Sequence, residues 1–215
     1  MWPFYLTLFI FLAVLLFPFL IVFLAINLFA VGISNLGFSI SVGLLTVLAM
    51  MIGSFINLPL SEKEVVEVET KRFFGALDRK IVVRQGLSIN VGGALIPLFV
   101  VSILLPNAPI YPVLITTLAG TFVAYKTSKV VPSIGVTMPP IFTVLTVVVF
   151  ALMTAPENPE IVAFISGVLG TLIGADLFNL KKVSETARLT MIIGGAGVFD
   201  GIFLTGILAS LLAGL

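Results

Sequence analysis

Of the 215 residues, 60% are hydrophobic and 10% charged; the net charge is +1 and the mean hydropathy +1.27. A soluble domain carries about 25% charged residues, so this chain has too little polar surface to cover a water-exposed globule, and its near-neutral balance gives no sign of a nucleic-acid partner. Cysteine and histidine are absent. That excludes disulfides, thiolate chemistry, imidazole bases and most zinc or haem sites; no cofactor and no metal is expected, and any catalysis falls to carboxylates, hydroxyls, amides, Lys or Arg.

Apolar runs near twenty residues long predict membrane helices. Their continuity argues against a β-barrel, whose strands alternate. The expected class is an all-α polytopic membrane protein of about seven spans, a single transmembrane domain over 1–215. Span 1 covers 3–30; it lacks the basic start of a signal peptide and is too long for one, and Pro18 should kink it. Span 2 covers 37–58. Between it and span 3, residues 61–86 hold most of the charge. There Glu64 to Glu69 and Arg79 to Arg84 are β-prone, partly alternating runs, with Gly75 to Asp78 available for a turn. A small cytoplasmic β-hairpin is expected, 64–69 pairing with 79–84 as an insertion within the domain. Span 3 covers 88–105 and carries Gly92-Gly93-Ala94-Leu95-Ile96-Pro97, the mark of a broken or tightly packed helix. Span 4 covers 110–126, span 5 136–154 behind Pro139-Pro140, and span 6 160–180. Span 7 starts between 189 and 198 and runs to near the end.

The charges support that count. Lys63, Lys71, Arg72, Arg79, Lys80 and Arg84 lie between spans 2 and 3, Lys126 and Lys129 between spans 4 and 5, and Lys181, Lys182 and Arg188 between spans 6 and 7, which accounts for all 11 basic residues. With seven spans these loops share one side. The positive-inside rule makes it cytoplasmic, in a cell membrane, with the N-terminus inside and the C-terminus outside.

Of the ten acidic residues, eight fall in loops. The exceptions are Asp176, one turn before the cytoplasmic end of span 6, and Asp200, near the cytoplasmic start of span 7. Ionisable groups at membrane depth cost a few kcal/mol on the mildest insertion scale and are functional candidates by default. A short loop joins the two spans, so the helices should be antiparallel neighbours. Gly197 and Gly201 beside Asp200, and a stripe of Gly167, Gly170 and Gly174 on span 6, allow close backbone approach. Two carboxylates held together in a partly dry site cannot both ionise easily and share a proton, which is how an aspartyl protease activates water. The expected separation is roughly 4–7 Å. Three readings stay open: proteolysis of a transmembrane peptide in the bilayer, proton- or cation-coupled transport through the same aspartates, and a non-catalytic scaffold in which each Asp caps a helix or bonds backbone. Asn57, Asn90 and Asn179, near span ends, suit hydrogen bonding to loops.

Four strings carry a resemblance: Gly53-Ser54-Phe55-Ile56-Asn57-Leu58-Pro59-Leu60, Asn90-Val91-Gly92-Gly93-Ala94-Leu95-Ile96-Pro97, Gly170-Thr171-Leu172-Ile173-Gly174-Ala175-Asp176-Leu177, and Gly194-Gly195-Ala196-Gly197-Val198-Phe199-Asp200-Gly201-Ile202-Phe203-Leu204. They resemble a prokaryotic membrane family known as domain of unknown function 1614, which implies no activity. A looser resemblance is to the presenilin and signal-peptide-peptidase class of intramembrane aspartyl proteases. Those place one Asp on a sixth span and one in a Gly-x-Gly-Asp motif on a seventh. Asp176 matches the first and Asp200 the second, in the longer form Gly195-x-Gly197-x-x-Asp200. Ala175-Asp176 replaces Tyr-Asp, and there is no Pro-Ala-Leu string and no eighth or ninth span. That likeness implies catalytic roles for Asp176 and Asp200, with Gly174, Gly197 and Gly201 as supporting backbone.

Overall fold

A computed structural model of the chain describes residues 2–67, 81–131, 135–186, 191–195 and 199–214. At 62–67, 81–85, 184–186, 199–201 and a few further positions only the backbone is described. The protein is mostly helical, with small sheets at the helix ends.

α1 (Trp2–Ser34) is an apolar helix that continues through Pro18. Gly37, with φ of 91°, turns the chain, and Ser39 opens α2 (Ile40–Gly53) by accepting the Val42 amide at 3.3 Å, an ordinary N-cap. Gly43 lets α2 lie against the Ala30 carbonyl. The chain then becomes strand. β1 (Asn57–Glu67) pairs antiparallel with β2 (Ile81–Asn90), in register from Asn57 opposite Asn90 to Glu67 opposite Ile81. The register shifts between Pro59 and Ser61, as suits a proline that has no N–H for the ladder. Glu64 faces Arg84 and Val66 faces Val82; residues 68, 69, 79 and 80 and the 75–78 turn lie outside the described residues.

After β2 comes a π-helical segment, Val91–Leu95, then α3 (Ile96–Leu104) and a 3₁₀ turn, Leu105–Asn107. α4 (Ile110–Thr127) leads into a short antiparallel pair, β3 (Lys129–Val131) with β4 (Gly135–Thr137). α5 (Pro140–Thr154) and α6 (Pro159–Thr171) each begin with Pro in the first turn, where its missing N–H costs nothing. α6 continues without a break through a second π-helical segment, Leu172–Asp176, a 3₁₀ turn, Leu177–Asn179, and α7 (Leu180–Thr186). β5 (Met191–Ile193) then joins the first sheet, parallel to β2 at Leu87–Ile89, giving the order β1-β2-β5. α8 (Phe199–Ala213) follows.

Helical segments thus occupy all seven predicted positions, but with different ends. Span 2 stops at Gly53 rather than 58, and span 3 begins at Val91 rather than 88, because both outer ends belong to the hairpin. Among the described residues, two stretches, Leu15–Ser34 and Pro159–Val183, are long and apolar enough to cross a membrane. α2, at 14 residues, reaches about 21 Å at 1.5 Å per residue, short of a hydrocarbon core of about 30 Å. α6 is the central helix: 72% of its most apolar stretch is buried, against 17% for α1. Around it Val144, Val147, Val162, Phe164, Ile165, Val168, Ile202 and Ile207 form the core. The outer faces are apolar too, with Phe19 and Leu118 70% exposed and Phe99 65%.

Candidate functional site

The site is built around Gly194, the residue after β5. Its φ of 67° is a left-handed conformation that costs an L side chain roughly 1–2 kcal/mol. Its N–H donates to Asp176 Oδ2 at 3.0 Å. On the other side its carbonyl oxygen lies where a β-carbon on Gly93 would have to go. Both π-helical segments therefore meet this residue, Val91–Leu95 at the carbonyl and Leu172–Asp176 at the amide. Each π segment contains the wider hydrogen bond that defines it: the Ile96 amide reaches Val91 O and the Leu177 amide reaches Leu172 O. Such one-turn bulges recur at functional sites because they re-aim side chains.

Asn90 anchors the first segment. Its Oδ1 accepts the Gly93 amide at 2.7 Å, and its Nδ2 donates to Ser54 O at 2.7 Å and to Asn57 Oδ1 at 2.8 Å. Gly53 and Gly92 touch backbone to backbone, and Gly92 also abuts the Met50 carbonyl. Asn179 secures the other side. Its Nδ2 lies 2.9 Å from Ala175 O, 3.3 Å from Gly174 O and 2.9 Å from Ser128 Oγ. The hydrogen bonding expected of these Asn residues is thus present, largely buried.

Asp176 is fully buried, and its Oδ1 has no hydrogen-bond partner among the described residues. A buried carboxylate oxygen left unpaired costs more than the roughly 1–3 kcal/mol of a neutral group. Gly167, earlier on α6, lies against Thr205 and Gly206, while Asp176 reaches Gly194. The two helices are therefore antiparallel, as expected. On that register Asp200, the second residue of α8, stands at the level of Leu172 and Ile173, about one turn from Asp176. The Asp200 side chain and Gly197 lie outside the described residues; Gly201 is in the first turn of α8.

Gly174, expected as supporting backbone, packs on α4. It sits against the Thr121 carbonyl, Ala124 and Tyr125, and Gly170 against Gly120 and Thr121, so these two glycines seat α6 on α4. Gly167 is the glycine of this stripe that meets α8, while Asp176 meets the Gly194 turn that precedes α8. Among the described residues, no group of three His, Cys, Asp or Glu could hold a metal ion. Sequence reasoning did not single out Gly194 or place Asn90 at its contact; the Gly92-Gly93 pair after Asn90 was the available signal.

All four strings quoted above contribute. Ser54 and Asn57 bond Asn90, Asn90 bonds Gly93, Gly93 abuts Gly194, and Gly194 bonds Asp176. Residues 51–212 match the family model DUF1614, described as a protein of unknown function. The chain belongs to this family. The site lies wholly inside the family's matched region, whereas α1 and most of α2 precede it. No curated protein and no solved structure matches the chain, and the presenilin likeness finds no support in these comparisons.

Proposed function

We propose that this DUF1614 protein is a polytopic protein of the cell membrane that cleaves transmembrane peptides with Asp176 and Asp200 as an aspartyl pair. The observation that carries the reading is Asp176: buried, held by one oxygen to Gly194, without a partner for the other among the described residues, and one turn in register from Asp200 at the start of α8. The apolar outer faces suit lipid, and the segregated basic loops suit an inside N-terminus. The short helices would be completed as spans by the polar strands and turns at their ends.

In the reaction, one ionised carboxylate takes a proton from water as its oxygen adds to the scissile carbonyl. The other, protonated carboxyl gives its proton to the carbonyl oxygen. The gem-diol then collapses: one hydroxyl gives its proton to the carboxylate now ionised, the C–N bond breaks, and the amide nitrogen leaves with the proton of the other carboxyl, which restores the pair. An extended substrate could be presented along the sheet, since β1 and β5 are its edge strands and β5 leads directly to Gly194.

The test is purified protein in liposomes with single-span peptides, products read by mass spectrometry. Wild type should cleave, and Asp176→Asn and Asp200→Asn should be silent while melting like wild type. Absence of cleavage by wild type, with a proton flux into dye-loaded vesicles that Asp176→Asn abolishes, would replace proteolysis by transport. Cleavage that survives in Asp176→Asn would end the aspartyl reading.

A further inference from the structure

We infer that the level where α4 ends and α7 begins is a docking site for one anionic phospholipid. Its phosphate meets Lys126, Lys129 and Lys182, and its acyl chains lie on the exposed apolar faces of α4 and α6 beneath them. The inference rests on the membrane placement proposed above and not on proteolysis.

The packing of the two helices brings these residues to one end. α4 and α6 run parallel, since Thr117 bonds Ser166, Gly120 meets Gly170 and Gly174 meets Tyr125. Side chains then fix the level of their ends. Asn179 Nδ2 donates to Ser128 Oγ at 2.9 Å. The Tyr125 and Phe178 rings meet edge to face, with centroids 5.8 Å apart. Lys182 donates to the Tyr125 hydroxyl at 3.3 Å, and its Nζ lies 4.8 Å from the centre of the same ring. Lys126, in the last turn of α4, places its Nζ 5.7 Å from the centre of the Phe122 ring. Lys129 follows at the start of β3 and is exposed, as are the other two lysines.

Two observations point to a lipid. The first is charge. An ammonium carries three donors, and Lys182 uses one on Tyr125. Among the described residues no carboxylate pairs with Lys126, Lys129 or Lys182. The ring contacts orient two of these chains and leave their charge in place. The second is what lies beneath. Leu118 and Phe122 precede Lys126 at four-residue spacings, and Leu177 and Phe178 precede Lys182 by about one turn; all four are exposed. Each of these two lysines therefore stands at the end of an apolar stripe, its stem along the stripe and its head toward water. Tyr125, between the stripes, is the kind of amphipathic ring found at headgroup level. Phosphatidylcholine brings a cation of its own, whereas an anionic lipid supplies the negative charge that the protein lacks here. A soluble phosphate would use the lysines alone and leave the apolar stripes without a role.

The test is native mass spectrometry of the whole chain in detergent micelles that carry dioleoylphosphatidylglycerol or dioleoylphosphatidylcholine at matched mole fractions, with bound lipid counted. Wild type should hold one phosphatidylglycerol roughly tenfold or more tightly than phosphatidylcholine. Lys126→Gln with Lys182→Gln should erase most of that preference, since each basic residue near a membrane surface is worth about fivefold. Lys63→Gln with Arg84→Gln, on the β1–β2 hairpin, removes the same charge elsewhere and should leave the preference intact. Equal retention of the two lipids by wild type would overturn the proposal, and so would an equal loss in both double variants, which would reduce the effect to net charge. Dissolved glycerol phosphate should not displace the lipid at matched concentration; displacement would make this a site for free phosphate and overturn the docking. None of these readouts uses cleavage, so failure of the protease reading leaves them standing. A chain that stays soluble without detergent would remove the membrane placement and this site together.

Discussion

The two π-helical segments differ in what they do with their polar residue. Asn90, before Val91–Leu95, uses both of its amide atoms in hydrogen bonds. Asp176, at the end of Leu172–Asp176, uses one oxygen on Gly194, and its other oxygen has no partner among the described residues. Both are buried; Asp176 bonds the left-handed Gly194 directly, and Asn90 holds Gly93, which abuts it. The first arrangement is what a fold needs to hold a broken helix rigid. The second keeps capacity for something else, at a cost in stability that packing alone does not explain. On the proposed function, the first is a positioning element and the second a reacting one.

That contrast can be broken from the rigid side first. Gly93→Ala drives a methyl group into the Gly194 carbonyl, where only backbone movement can relieve it. The expected loss is about 3 kcal/mol or more, seen as a failure to fold or a much lower denaturation midpoint. Asn90→Ala removes three hydrogen bonds and strands the Gly93 amide; a loss of about 2–4 kcal/mol is expected, measured by denaturation in detergent. Asp176→Asn should move stability by no more than about 1 kcal/mol, since the amide oxygen still accepts the Gly194 amide. Its effect should fall on activity. Ser128→Ala, which removes one of three acceptors from Asn179, is expected to cost less than about 1 kcal/mol and to leave activity unchanged. If Asp176→Asn destabilised as strongly as Asn90→Ala, the two segments would be alike, and the distinction would fail.

Hydropathy located the seven helical segments because burial and length leave a direct trace in composition. It misplaced the ends of spans 2 and 3 because Leu58, Leu60 and Ile89 prolong the apolar runs into strands, and a running average cannot separate a strand from a helix there. β5 has three residues and exists through pairing with β2, a tertiary effect without local signature. The π segments leave composition unchanged; they alter only which carbonyl each amide reaches. Asp176 was legible because a carboxylate within an apolar helix is costly wherever it points. The packing of Gly174 on α4 was not legible, because glycine spacing shows that a helix can be approached and not which neighbour approaches it.

The account rests on Asp176 and Asp200 forming one site, and the absence of native cysteine makes that directly measurable. In liposomes, the double variant Asp176→Cys with Asp200→Cys is treated with a methylene-bridged bis-methanethiosulfonate, and bridging is scored by intact mass. The control pairs Asp176→Cys with Ser210→Cys, more than two turns further along α8. The account predicts rapid bridging of residues 176 and 200 and none in the control. No bridging at 176 and 200, with both thiols singly labelled, would contradict it.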